Sequence, residues 1–378
     1  MKDAIVSVAA GTSQLALIRA AKRLGYAVIA VDRDPNAPGF AEADATVVAS
    51  THDPDQVLAG VLPLRERFRV CGVLAKSSGE PVATAARLAR ELDCRGLDPD
   101  IARLSTSKTG FDELCRERGV ARPESVREAR MVGPRSVLKP ARTGVGKEGV
   151  FLVRGEERLR ELVARPGASP FLVEEFVEGE DVTLCMLFRD GEPRTIALLD
   201  ERVRFDADGE ARGLGVAVPS RWSGTEVEDG AVELGERIAA GAGTGICFLS
   251  MRATSQRRVV AIEAHFDLAG DFVADELFGA AGYDLIGATV RLHADGVLPE
   301  APPRLVPSAV RFLYREEAPR AAELGRIPGV LRVETGLPPT GARGGGRIGF
   351  VLARAESGQL LEETLSSIES TLESVPER

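Results

Sequence analysis

Lys139 closes a short apolar run at residues 136–139 and leads into a stretch containing Gly144, Gly146 and Gly149. Glycines there let backbone N–H groups come close to a phosphate, and a lysine adds a point charge. The stretch is not a Walker A loop, because GVGKEG lacks the GK[ST] step. Taken alone, it is equally a glycine-rich hairpin with a solvated lysine. Downstream, residues 171–176 run directly into VEGE at 177–180. A strand edge that ends in a short turn offers backbone donors and acceptors to an adenine. A carboxylate just beyond can take ribose hydroxyls. Further on, Glu263 ends an apolar run, in the segment AIEAHFDLAGD, with His265 two residues on. Side chains two apart on a strand face the same way. A carboxylate with oxygen or nitrogen donors beside it suits a Mg²⁺ ion bridging nucleotide phosphates. His265 alone is as readily a core histidine satisfied by hydrogen bonds.

The elements that must hold these residues follow from periodicity. Residues 4–9, 27–31 and 70–75 read as strands, and 14–24, 54–67 and 80–93 have helical spacing. That βαβ pattern predicts a parallel sheet. Asp32 follows the second strand, but GTSQLA lacks the GxGxxG spacing of a dinucleotide site. Residues 105–120 open with Ser and Thr caps and read as one helix. A small α+β module spans the glycine loop, with strands at 136–139, 150–153, 170–176 and 182–188 and a helix at 155–165. A helix at 232–240 then leads to a strand pair at 245–251 and 259–264. Helices follow at about 271–279 and 283–294. Pro299, Pro302, Pro303 and Pro307 connect to a β-rich tail closed by a helix at 360–375.

Composition narrows the classes. The 378 residues suffice for two or three domains, and 44% hydrophobic with 28% charged residues is ordinary for a globular chain. A net charge of −9 argues against reliance on nucleic-acid phosphates. Aromatics at 5% leave no stacking platform for single strands. No run of 18 apolar residues suggests a membrane span. The N-terminus makes a poor signal peptide. Five scattered cysteines read as free thiols of a reducing cytoplasm.

Taken in order, these motifs resemble the ATP-grasp superfamily, in its carboxylate–amine ligase branch. The resemblance runs from the parallel-sheet region through Ser107-Lys108, Lys139-Pro140, EEFVEGED, GVAVPS at 215–220, Glu263 and LAGD at 268–271 to GRIGF at 346–350. It implies an α/β fold with five parts. These are a Rossmann-like domain (1–98), a helical connector (99–121), a lid (122–184), a large subdomain (185–300) and a β-rich extension (301–378). It implies ATP bound between lid and large subdomain, with Lys108 and Lys139 on the phosphates and Gly144, Gly146 and Gly149 closing over them. Glu174, Glu175 and Val177 would line the adenine, and Glu180 would hold the ribose. Glu263 would bind Mg²⁺. The reaction implied is phosphorylation of a carboxylate by ATP, followed by attack of an amine. Its substrates would be small molecules, and a homodimer is expected.

The sequence departs from the family at three positions: Ser250 stands where an acidic metal ligand is usual, His265 where Asn is usual, and Asp267 where Arg is usual. Two readings follow. In one, Glu263, Asp267 and His265 hold the metal, with Mn²⁺ as an option, and Arg212, Arg221 or Arg252 supplies the missing cation. In the other, the protein binds nucleotide or another ligand without turnover. The Ala-, Arg- and Gly-heavy composition suggests a bacterial source, and by analogy the unusual site suits a specialised biosynthetic ligase. A carboxylating relative of biotin carboxylase is a further alternative.

Overall fold

The structure is a computed structural model that describes residues 1–141, 147–165, 170–302, 304–337 and 347–373. The N-terminal sheet contains β1 (Lys2–Val8), β2 (Ala27–Asp32), β3 (Ala45–Val48) and β4 (Phe68–Ala75). It is parallel, in the order β3-β2-β1-β4. Ala4, Ile5, Val6 and the run 27–31 are fully buried. A parallel sheet covered on both faces needs such unbroken apolar runs. β3 was not legible, being four residues long and partly exposed at the edge.

The small antiparallel sheet contains β5 (Ser125–Val126), β6 (Ser136–Pro140), β7 (Phe151–Val153) and β8 (Phe171–Glu175), in the order β5-β8-β6-β7. The helix Glu156–Val163 backs it and buries Leu159 and Leu162 against Leu138, Phe151 and Val173.

Eight antiparallel strands make the large sheet. They are β9 (Glu180–Arg189), β10 (Glu192–Phe205), β11 (Ala211–Val218), β12 (Gly245–Ala253), β13 (Val259–His265), β14 (Ser308–Tyr314), β15 (Val330–Glu334) and β16 (Arg347–Arg354). Their order is β13-β12-β9-β10-β11-β14-β16-β15. β9 therefore belongs wholly to this sheet, and the boundary expected at residue 184 falls inside it. The expected C-terminal extension also continues this sheet, because β14 pairs with β11. The helix Gly358–Glu373 covers that end, with Leu361, Leu365 and Ile368 packed on Leu313 and Val351.

Residues 105–120 are not one helix. One helix, Pro99–Ser105, ends before Ser107, which caps a second, Lys108–Glu117, by accepting from the Gly110 N–H at 3.0 Å. The expected helix at 271–279 is a π turn, Val273–Leu277, followed by one short helical turn. Ile5, Leu17 and Ile18 share one core with Cys185, Phe248, Phe278 and Leu285, so the parallel sheet is docked on the large one by apolar contact.

Candidate active site

Lys108 is the first residue of the capped helix, and its backbone N–H donates to the Ala141 carbonyl at 2.8 Å. That bond fixes the helix start against the chain just past β6. The Lys108 Nζ lies 3.2 Å from Glu263 Oε1, at the end of β13. Lys139 on β6 and Glu174 on β8 are diagonal neighbours in register. Their Nζ and Oε1 are 2.5 Å apart, and both residues are buried. Neither Lys139 Nζ nor Glu263 Oε1 makes a hydrogen bond, although each is sealed from solvent. Each is held instead by its ion pair, Lys139 Nζ by Glu174 and Glu263 Oε1 by Lys108, which leaves part of its hydrogen-bonding capacity unused. An anion between the lysines and a cation at Glu263 would use it.

Charge sets the ionisation here. Burial alone would raise the Glu263 carboxyl, but Lys108, His265 and Lys139 outweigh it and hold it down to about 2. Glu174 behaves in the opposite sense: burial pushes its carboxyl up, against the pull of Lys139.

The turn after β8 is braced from the large sheet. Glu174 points inward while Glu175 is exposed, as strand alternation requires. Arg252 Nε donates to the Val177 carbonyl at 3.1 Å, its guanidinium pairs with Asp181 at 2.9 Å, and it lies over the Phe176 ring. Glu180 accepts from the Trp222 indole N–H at 3.0 Å and from Arg221 at 3.4 Å. Arg221 also donates its backbone N–H to Asp200 at 2.9 Å. Gly149 has φ +73°, and a Cβ there would press on Pro140 at 3.2 Å. Gly144 and Gly146 lie outside the described residues.

The metal triad expected from Glu263, His265 and Asp267 is not assembled. His265 Nε2 stands 3.8 Å from Glu263 Oε2. β13 stops at His265, however, and Asp267 turns toward the N-terminal domain, accepting from Ser78 Oγ at 3.0 Å. Among the described residues, no three His, Cys, Asp or Glu side chains form a metal-binding group. Arg212 is likewise not brought to Glu263: it pairs with Glu316 and lies on the Tyr314 ring.

Other residues join the site that the motifs did not single out for it. Lys147, in the glycine-rich stretch after Lys139, has its Nζ 3.1 Å from Glu201 Oε2 on β10. Thr183 Oγ1 donates to the other Glu201 oxygen, and Ser250 lies beside both. Lys76, buried at the end of β4, stands 3.5 Å from Asp275. The only sequence signal for Glu201 was the charged DER triplet interrupting an apolar strand.

Residues 106–289 match the ATP-grasp domain family. No curated protein sequence matches the chain. Among solved structures, an L-amino acid ligase from Bacillus licheniformis aligns with a TM-score of 0.77 at 15% identity, over 98% of each chain. An N5-carboxyaminoimidazole ribonucleotide synthetase from Thermotoga maritima gives 0.72 at 19%, again over 98% of each. A phosphoribosylglycinamide synthetase from Anaerococcus prevotii gives 0.70 at 15%, over 98% of each. These likenesses extend the same fold over nearly the whole chain, beyond the matched domain that contains Lys108, Lys139, Glu180 and Glu263. The chain carries an ATP-grasp domain over residues 106–289.

Proposed function

We propose that the protein is an ATP-dependent ligase that joins a small-molecule carboxylate to an amine. The observation that carries this reading is a pair of buried ion pairs, Lys139–Glu174 in the small sheet and Lys108–Glu263 at the large one, whose Lys139 Nζ and Glu263 Oε1 make no hydrogen bond. The lysines suit an anion and Glu263 a cation. The names of the similar structures, an amino acid ligase and two nucleotide synthetases, support the same reaction class.

Each residue then has a task. Lys108 and Lys139 hold the phosphates, and Gly144, Gly146 and Gly149 cover them. The backbone at Glu174, Glu175 and Val177 faces the adenine. Glu180, oriented by Trp222 and Arg221, takes the ribose hydroxyls. Glu263 and His265 would hold a divalent ion, Mg²⁺ or Mn²⁺, which supplies charge neutralisation on the phosphates when bound. ATP passes its γ-phosphoryl to the carboxylate oxygen, giving an acyl phosphate and ADP. The amine attacks the acyl carbon, an amide forms, and phosphate leaves. Arg252 and Arg221 act here as positioning residues for the nucleotide pocket. A specialised biosynthetic role in a bacterial cytoplasm, and a homodimer, complete the proposal.

A second reading has one observation in its favour. Asp267 places a buried carboxyl group where turnover calls for positive charge. That reading is a nucleotide binder without turnover. Calorimetric titration of ATP and ADP, with and without Mg²⁺, on wild type and Lys139→Ala tests for nucleotide binding. Binding lost in the variant, with ADP release on presenting carboxylate–amine pairs, supports the ligase. Binding without ADP release for any pair favours the second reading. Absence of nucleotide binding overturns both.

A further inference from the structure

Register places a row of polar groups across the large sheet. Glu263 on β13 faces Ser250 on β12, and Ser250 faces Thr183 on β9. Glu201 on β10 lies one step along on the same face, opposite Asp181. Its carboxylate leans back toward the row. One oxygen accepts from Thr183 and lies 3.4 Å from Ser250 Oγ, and the other lies 3.1 Å from Lys147 Nζ. The two carboxylates, Glu201 and Glu263, thus flank a pair of hydroxyls. The Lys147 ammonium sits in the combined field of Glu201, Asp181 and Glu263.

We propose that Glu201 and Glu263 together form the seat of the divalent ion that accompanies the nucleotide, and that Lys147 holds that place electrostatically when the ion is absent. The inference rests on the nucleotide-binding reading above and adds a ligand that the sequence motifs did not offer. Mg²⁺ and Mn²⁺ sites at nucleotides use one or two carboxylates and take their remaining ligands from phosphates and water. A third protein carboxylate is therefore not needed. Glu263 Oε1 is sealed from solvent, pairs with the Lys108 ammonium at 3.2 Å and makes no hydrogen bond. Ser250 cannot carry the charge of a carboxylate, and Glu201 brings one to its side from two strands away.

The test is Mn²⁺ titration followed by electron paramagnetic resonance of free Mn²⁺, with and without ADP, alongside calorimetry of ADP alone. For Glu201→Gln, the Mn²⁺–ADP affinity should fall at least about tenfold, while metal-free ADP binding stays as in wild type. Glu201→Gln with Ser250→Asp should recover most of the loss, because the new carboxylate stands beside the same place. Glu201→Asp, which keeps the charge, checks that any loss is not misfolding, and thermal melts accompany every variant. Unchanged Mn²⁺–ADP affinity in Glu201→Gln would overturn the inference. So would an equal loss of metal-free ADP binding. If wild type binds ADP but metal adds nothing, this inference fails and the nucleotide reading stands. If wild type binds no ADP at all, both fail.

Discussion

The Lys108 ammonium lies 3.2 Å from the Glu263 carboxylate, joining the first residue of the helix Lys108–Glu117 to the end of β13. The two elements are more than 140 residues apart in sequence, and both side chains are largely buried. Breaking one member of a buried pair costs more than the pair itself contributes, because an uncompensated charge is left behind. Lys108→Met should therefore lose about 3–5 kcal/mol of stability. Lys108→Met with Glu263→Gln should recover most of it. Urea unfolding of the two singles and the double closes the cycle. A single-variant loss under about 1 kcal/mol would mean the pair is solvated in practice.

The pH dependence of Glu263 has a definite sign. Its carboxyl is held at about 2, below the ordinary 4.5, so ionised Glu263 adds stability above pH 4.5. That contribution drains away as pH falls from 4.5 toward 2. The stability gap between wild type and Glu263→Gln should shrink across that window and be flat above it. Unfolding curves at pH 7, 4 and 2.5 would show this, and a gap independent of pH would refute it.

Asp267 carries the opposite sign. Burial raises its carboxyl above the ordinary 3.8, against His265, Ser78 and Lys76, which pull it down. The ionised form is disfavoured in the fold, so its cost appears as pH rises through 3.8 and beyond. Asp267→Asn retains an acceptor for the Ser78 hydroxyl. It should match or exceed wild-type stability at pH 7, by up to about 1 kcal/mol. A clear loss at pH 7 would show that the charge itself is needed.

Arg252 braces the turn between the small and large sheets through Val177, Asp181 and Phe176. Arg252→Ala removes all three contacts. We expect faster amide exchange over residues 176–181 and an ADP affinity lowered by roughly tenfold, in line with one charge-assisted hydrogen bond. Unchanged exchange in that turn would show that the brace is dispensable.

The parallel sheet was legible because both its faces are buried, which leaves unbroken apolar runs such as AIVSV and AVIAV. Lys139, Glu180 and Glu263 were legible because local spacing puts each at a strand end. Glu201 was not. Its strand opens EPR and carries DER, charges that conceal a 14-residue strand, and its partners Thr183 and Ser250 lie on other strands. Register between distant strands creates that neighbourhood, and no local pattern encodes it. Asp267 was expected beside Glu263 only through the family resemblance, but β13 ends two residues before it and strand alternation no longer applies there.

The pairing of β14 with β11 also has a consequence for how the molecule is made. Until residues 308–314 have left the ribosome, β11 is an open edge of the sheet that carries Glu201, Ser250 and Glu263. β16 must then arrive to cover β14, so that flank of the sheet is not closed before residue 354 has been added. During synthesis the sheet bearing the site thus stays unfinished until most of the chain has emerged, and its bare edge is open to mispairing with another chain.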